Sequence, residues 1–250
     1  MGSLAAIDLH LRSIDLAYGD RSVVRSFDLT LPAGQWTCLL GPSGVGKTSL
    51  LRVAAGLARP DQGDVSAGDG RSLRGRIAWM GQRDDLLPWL SALDNVALGA
   101  RLRGQAGDRD RARACLDAVE LAGRADALPA TLSGGERQRV ALARTLFEHR
   151  PIVLMDEPFS ALDVLTRARL QDLAAERLAG RTVLLITHDP LEALRLGHRV
   201  FWLSGQPAVL SAPILPPGPP PRAVDDRLVL ARQGELMALL LGQTVAGEAA

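Results

Sequence analysis

Lysine is almost missing from this chain: of 29 basic side chains in 250 residues, 28 are arginine and one, Lys47, is lysine. Cysteine is scarce as well. Cys38 and Cys115 alone exclude a disulfide framework or a cysteine-built metal site, and they suit a reducing compartment. Long apolar runs are absent. Val183–Ile186 and Leu236–Leu241 fall far short of the ~20 residues a spanning helix needs. Residues 1–13 carry Asp8, His10 and Arg12, which argues against a signal peptide. The expectation is a protein soluble by itself, whose membrane role, if it has one, comes through a partner. A strong charge of either sign is also lacking. Net charge is +1, so nucleic acid is not expected as a partner, and the arginines of Arg101–Arg113 are diluted by Asp108 and Asp110. What the chain does have is 47% hydrophobic residues, ample for a core.

The one lysine stands in Gly41-Pro42-Ser43-Gly44-Val45-Gly46-Lys47-Thr48, which matches the phosphate-loop pattern G-x-x-x-x-G-K-[ST]. Arginine is no substitute there. A compact ammonium on a flexible stem fits among β- and γ-phosphate oxygens, whereas a planar guanidinium is too wide. The context agrees: Trp36-Thr37-Cys38-Leu39-Leu40 is a run suited to a buried strand, and Ser49-Leu50-Leu51-Arg52-Val53-Ala54-Ala55 continues as a helix. Strand, loop and helix in that order turn the loop N–H groups and the helix N-terminus toward one anion. Nucleotide binding is the first expectation.

Around this segment, Ile7–Ile14 and Val23–Leu31 alternate as strands do, with Gly19-Asp20 and Pro32-Ala33-Gly34 as turns. Ala58–Gly75 reads as a surface β-turn region and Ile77–Met80 as a short strand. From Ser91 to about Leu146 the pattern is helical, with capping-box spacing at Ser91/Asp94 and Ser133/Glu136. Ile152–Met155 and Val183–Ile186 are too continuously apolar for a sheet with one wet face, so they predict parallel strands covered on both sides. The expected fold class is α/β, a mostly parallel sheet with an N-terminal antiparallel β subdomain and an inserted helical subdomain over about 84–150. The main domain is expected over 1–211. Residues 212–250 are expected as a linker and helical tail: six prolines between Pro213 and Pro221 predict a stiff spacer, followed by an amphipathic helix over Arg227–Leu241.

Two further stretches carry chemistry. Asp156 and Glu157 follow the strand Ile152–Met155 at its carboxyl end, where open α/β sheets bind ligands. Asp156 would hold Mg²⁺ with the Thr48 hydroxyl, and Glu157 would accept a proton from the water that attacks the γ-phosphate. Leu132-Ser133-Gly134-Gly135-Glu136-Arg137-Gln138 is a capped helix N-terminus with two glycines in its first turn, a second anion site. Glycine there costs helix stability, and a close backbone approach to a ligand accounts for it.

With these motifs in this order, the chain resembles the nucleotide-binding subunit of an ATP-binding cassette transporter, from about residue 7 to residue 205. The Ser133–Gln138 segment resembles the family signature, Gln82 its Q-loop glutamine, Ser160-Ala161-Leu162-Asp163 its D-loop, and His188 in Ile186-Thr187-His188-Asp189 its switch histidine. Tyr18 resembles the aromatic that stacks on adenine. Asp189, Pro190 and Glu192 read as a helix start that fixes His188. The resemblance implies a P-loop NTPase core with an α-helical signature subdomain, with ATP and Mg²⁺ as cofactors. It implies nucleotide contacts from Gly41 through Ser49, with Lys47 and Gln82 also catalytic and Gln82 joining Thr48 and Asp156 at the metal. It further implies a head-to-tail homodimer in which Ser133, Gly134 and Gly135 of one copy meet the nucleotide held by the other, with Asp163 also among the nucleotide-binding residues. The stretch Leu86-Leu87-Pro88-Trp89 after Gln82 is a candidate docking surface for an integral-membrane permease. Its wording resembles importers of sulfonates, nitrate or pyrimidine precursors of thiamine, which also use a solute-binding protein. That implies a peripheral location on the cytoplasmic face of a bacterial inner membrane. An exporter subunit or a non-transport cassette ATPase is the alternative.

Overall fold

In the computed structural model, residues 5–247 are described, with side chains through Met237. The chain opens with two antiparallel strands, β1 (Leu9–Tyr18) and β2 (Arg21–Leu31), then enters the buried strand β3 (Trp36–Leu40) and helix α1 (Lys47–Ala54). Strands β4 (Gln62–Ala67) and β5 (Ile77–Met80) follow. β4 pairs antiparallel with β1 in a small sheet ordered β2-β1-β4, so part of the expected β-turn region is a strand.

A run of short helices comes next: α2 (Ala92–Val96), α3 (Leu98–Leu102), α4 (Arg109–Ala118) and, after two 3₁₀ turns, the longer α5 (Gly134–Glu148). The helical expectation holds as a class, broken into pieces by turns at Gly104 and Gly123. The chain then re-enters the large sheet with β6 (Ile152–Asp156), α6 (Val164–Arg177), β7 (Thr182–Ile186), α7 (Pro190–Leu196), β8 (Arg199–Ser204), β9 (Val209–Leu210) and α8 (Arg227–Gly247). The large sheet is ordered β5-β6-β7-β3-β8-β9. All pairings are parallel except β8 with β9.

Every residue of β3, β6 and β7 is buried. Alternate side chains of these strands feed two separate cores. Cys38, Leu40, Val153, Met155, Val183 and Leu185 point to the face covered by α5, α6 and α7. Leu39, Leu154, Leu184 and Ile186 point to the face covered by α1 and the antiparallel sheet. This two-sided cover explains the continuous apolar runs.

The spacer expected over 213–221 is not one. Ile214 bridges to Val200 of β8, and Arg222, 5% exposed, donates to carbonyls of Leu194, Gly197, Pro216, Pro217 and Gly218. Val229 and Leu236 of α8 belong to the main core. Here a buried guanidinium satisfies free carbonyls of the proline run and holds it on the domain.

Candidate functional site

β3 ends at Leu40 and α1 begins at Lys47, so Gly41–Gly46 make the whole turn. The sterics dictate glycine. Gly46 sits at φ +114°, and a Cβ there would fall 2.3 Å from Val23 Cγ1; one on Gly41 would lie 2.5 Å from the Leu203 carbonyl oxygen. No side chain caps α1, which leaves its first N–H groups for a ligand. Lys47 Nζ donates to the Gly41 and Pro42 carbonyls at 2.7 and 2.9 Å, folded over its own loop. Burial lowers its pKa, against the pull of Glu157 and Asp156. Tyr18, 53% exposed, lines a cavity of about 270 Å³ with Val23, Gly44, Gly46, Lys47, Thr48 and Ser49.

Behind the loop, Thr48 Oγ1 donates to Asp156 Oδ2 at 2.6 Å. Asp156 is buried at the last position of β6. Burial raises its carboxyl pKa, and the Thr48 hydroxyl pulls it back. Glu157 follows at φ +49°, a left-handed conformation that a non-glycine residue adopts only where its surroundings impose it. Its N–H is held by the Ile186 carbonyl of β7 at 2.9 Å. The Glu157 Oε1 atom lies 3.2 Å from His188 Nδ1. His188 is placed by the turn into α7, where Asp189 accepts from Leu191 and Glu192 N–H groups and Pro190 takes the first helical position.

At the start of α5 the expected capping box is present. Ser133 Oγ accepts from Glu136 N–H at 3.2 Å, and Glu136 accepts from Ser133 N–H at 2.8 Å. At Ser91 the side chain caps α2 by accepting from Asp94 N–H but donates its own proton to the Asp94 carboxylate, so that box is half made. Ser133 and Gly134 are exposed. Gly134 lines a different cavity, about 560 Å³, with Gln82, Arg137, Gln138 and Ser160. Gln82 makes no hydrogen bond among the described residues. Asp163 caps α6 by accepting from Thr166 N–H at 3.0 Å.

Within one chain, therefore, Lys47, Thr48, Asp156, Glu157 and His188 converge at the carboxyl ends of β3, β6 and β7. Gln82, just past β5 beside β6, lines the neighbouring cavity with Gly134, and Asp163 lies just before α6. Two residues that the sequence reading gave no role of their own support the arrangement. Gln138 donates to the Glu157 carbonyl at 2.9 Å and accepts from Ala161 N–H at 2.8 Å, which ties α5 to the acidic turn; its place at the end of the Ser133–Gln138 segment was its signal. Arg21 donates to the Gly44 carbonyl at 2.9 Å, and nothing in its surroundings marks it.

The ABC transporter profile matches residues 24–160, more than half of the chain. The chain belongs to the ABC transporter family. Among ABC relatives, an uncharacterized ABC transporter ATP-binding protein of Haemophilus influenzae is 42% identical, covering 94% of this chain and 99% of its own. The aliphatic sulfonates import ATP-binding protein SsuB 1 of Rhodococcus jostii is 45% identical, covering 94% of each chain. Among solved ABC structures, the dimeric cassette MJ0796 in a post-hydrolysis state with ADP and Pi superposes with a TM-score of 0.76 at 30% identity, over 84% of this chain and 99% of its own. The P-loop α/β fold with its antiparallel subdomain is the fold of this ABC cassette.

Proposed function

We propose that this chain is the ATP-hydrolysing subunit of an ABC importer, acting as a pair of copies that close around two ATP molecules and drive membrane permease subunits. The observation that carries the reading is the convergence of Thr48–Asp156 and Glu157–His188 on the phosphate loop. In this reading Lys47 leaves its loop carbonyls for β- and γ-phosphate oxygens, the free N–H groups of Gly41–Ser49 hold the remaining phosphate charge, and Tyr18 stacks on the base. Glu157 takes the proton of the attacking water. His188, 3.2 Å from that carboxylate, orients it and meets the γ-phosphate.

A hydroxyl and a carboxylate 2.6 Å apart are hard oxygen donors suited to Mg²⁺, which is held by few protein ligands and completed by phosphates. Among the described residues no group of three or more His, Cys, Asp or Glu could hold a metal, in line with a site shared with nucleotide. Thr48 and Asp156 would hold the ion, with Gln82 joining them. Bound there, Mg²⁺ supplies neutralisation of the phosphate charge.

Beyond capping α5 and α6, the tip at Ser133–Gly135 and Asp163 gain a role at the nucleotide only when a second copy brings them to it. Val164 and Leu165, 75% and 74% exposed beside Asp163, give that contact an apolar patch. For the permease contact, the apolar cluster after Gln82 divides: Leu86 is buried, and Trp89, 71% exposed, is the anchor offered to a permease helix. The cargo class follows the relatives' names, aliphatic sulfonates, delivered by a solute-binding protein. No helix among the described residues is long and apolar enough to cross a membrane. The proposed location is peripheral, at the cytoplasmic face of a bacterial inner membrane.

The test is phosphate release and ATP-driven dimerisation on the same preparations. Glu157→Gln is expected to lose turnover by at least about 10²-fold while retaining ATP and dimerising; turnover equal to the parent would end the base role. Ser133→Arg is expected to bind ATP but stay monomeric on a sizing column, and a dimer of normal stability would rule out the shared site.

A further inference from the structure

At the seam of the helical subdomain and the core, a cavity of about 260 Å³ opens between α4, the end of α5 and the connection from α6 to β7. It lies at the amino end of β7, the opposite edge of the sheet from the phosphate loop. Ala114, Ala118 and Leu146 make an apolar floor; Arg111, Arg177 and Arg181 with His149 supply its polar lining, and no carboxylate faces it. Among the described residues none of these three guanidiniums pairs with an acid. The neighbouring Glu148 is taken by Arg103 and Arg150, and Asp108 caps α4.

The arginines are held in place by neutral groups. Arg111 donates to the Phe147 carbonyl and lies 4.2 Å over the Phe147 ring. Arg181 donates to the Arg150 carbonyl and to His149 Nδ1, both at 2.8 Å, while its Nε is buried with no partner. Burial, then Arg181 and Arg111, lower the His149 pKa, which keeps the ring neutral and able to accept. Three like charges on an apolar floor raise one another's energy. The carboxyl ends of α5 and α6 offset part of this, each with a partial charge of about half a unit. An anion would satisfy the rest.

We propose that this cleft binds a small amphipathic organic anion, its oxyanion head on Arg177 and Arg181 and its apolar body on Ala114, Ala118 and Leu146. The volume suits such a ligand, since a cavity of roughly 150 Å³ already holds benzene. A bare inorganic anion would leave the floor wetted. Occupied, the site joins α4 of the helical subdomain to the core connection at Arg181.

The test uses the full chain saturated with ADP and Mg²⁺, so that the phosphate loop is filled, titrated calorimetrically with hexanesulfonate, hexanoate and inorganic sulfate. Hexanesulfonate is expected to bind at one saturable site per chain, and sulfate at least about tenfold more weakly. Equal binding of hexanoate would make any oxyanion head acceptable; weaker binding would assign the site to sulfonates. Arg177→Gln, on an exposed side chain with no hydrogen bond among the described residues, should weaken binding about tenfold. Ala114→Leu, at an exposed helix position, should fill the cavity and abolish binding. A readout independent of variants is alkylation of half-buried Cys115 by N-ethylmaleimide, which the ligand should slow severalfold. No saturable binding of either organic anion, sulfate binding as tightly as hexanesulfonate, or binding unchanged in both variants would overturn the proposal.

Discussion

Glu192 shows how far a single side chain can be displaced from its ordinary chemistry. It lies in the first turn of α7, 4% exposed. Gln171 Nε2 donates to one of its oxygens at 3.1 Å, and the other is buried without a partner. Burial, followed by the neighbouring Asp189 charge, raises its pKa from 4.5 to about 7. Since the folded value lies above the unfolded one, the folded chain holds the proton more tightly. The resulting stabilisation is complete below pH 4.5 and is lost as pH rises through 7. Glu192→Gln keeps the size and removes the titration. Thermal unfolding followed from pH 5 to pH 8 is expected to fall less steeply for the variant, which should be more stable at pH 8 by up to about 3 kcal/mol. His149 and His198 also titrate with lowered pKa values, but they are common to both proteins and cancel in the difference. Parallel curves would mean that Glu192 is ionised at no net cost.

At the scale of an element, the N-terminus of α5 performs two tasks that can be separated. The capping box holds the helix on its own chain, and the exposed Ser-Gly-Gly tip is offered to a second copy. Ser133→Ala removes the side-chain acceptor of Glu136 N–H and should lower stability by about 1 kcal/mol, a fall of roughly 2–4 °C in Tm, while the backbone N–H groups of the tip stay in place and ATP-driven dimerisation weakens less than in Ser133→Arg. Ser133→Arg loses the same cap and also blocks the approach, so the contrast between the two on the sizing column isolates the contact from the cap. The legibility of elements follows the same division between local and distant causes. β3, β6 and β7 were readable because burial on both faces writes an unbroken apolar run. β4 was not, since Gln62-Gly63-Asp64 lie exposed at the edge of a small sheet and carry no alternation; only pairing with β1 makes them a strand. β8 has its own run, Val200-Phe201-Trp202-Leu203, but the turn and prolines that follow make it look like the start of an irregular tail. The phosphate loop and the acidic turn were legible because each needs specific residue types at fixed spacing, and the turn that places His188 was legible because Asp189 and Pro190 mark a helix start. Arg21 and Gln138 were harder to read, because their partners, Gly44, Glu157 and Ala161, are distant in sequence and a single polar residue announces no fold-level contact.

For the molecule as a whole, the open matter is whether the segment after residue 211 is an appendage or part of the domain. Its composition, six prolines in nine residues, reads as a spacer; its contacts do not. Arg222 threads its guanidinium among carbonyls at the end of α7 and in the proline segment, and Arg195, 3% exposed, returns the contact by donating to the Arg222 carbonyl at 2.9 Å and to Asp172 at 2.8 Å. Two buried arginines thus join α6, α7 and the tail, and α7 is the helix that places His188. Removing the Arg222 side chain leaves the carbonyls of Leu194, Gly197, Pro216, Pro217 and Gly218 without its bonds, which is costlier than the loss of any single bond. Arg222→Ala is expected to lower stability by about 2–4 kcal/mol, or roughly 5–15 °C in Tm. A chain ending at residue 211 should fare worse, since it also exposes the core surface covered by Val229 and Leu236. If the tail also steadies α7, phosphate release measured well below the melting range should fall in Arg222→Ala more than ATP binding does. Should Arg222→Ala melt within about 1 °C of the parent, the tail would be an appendage after all, and the core would end at β9.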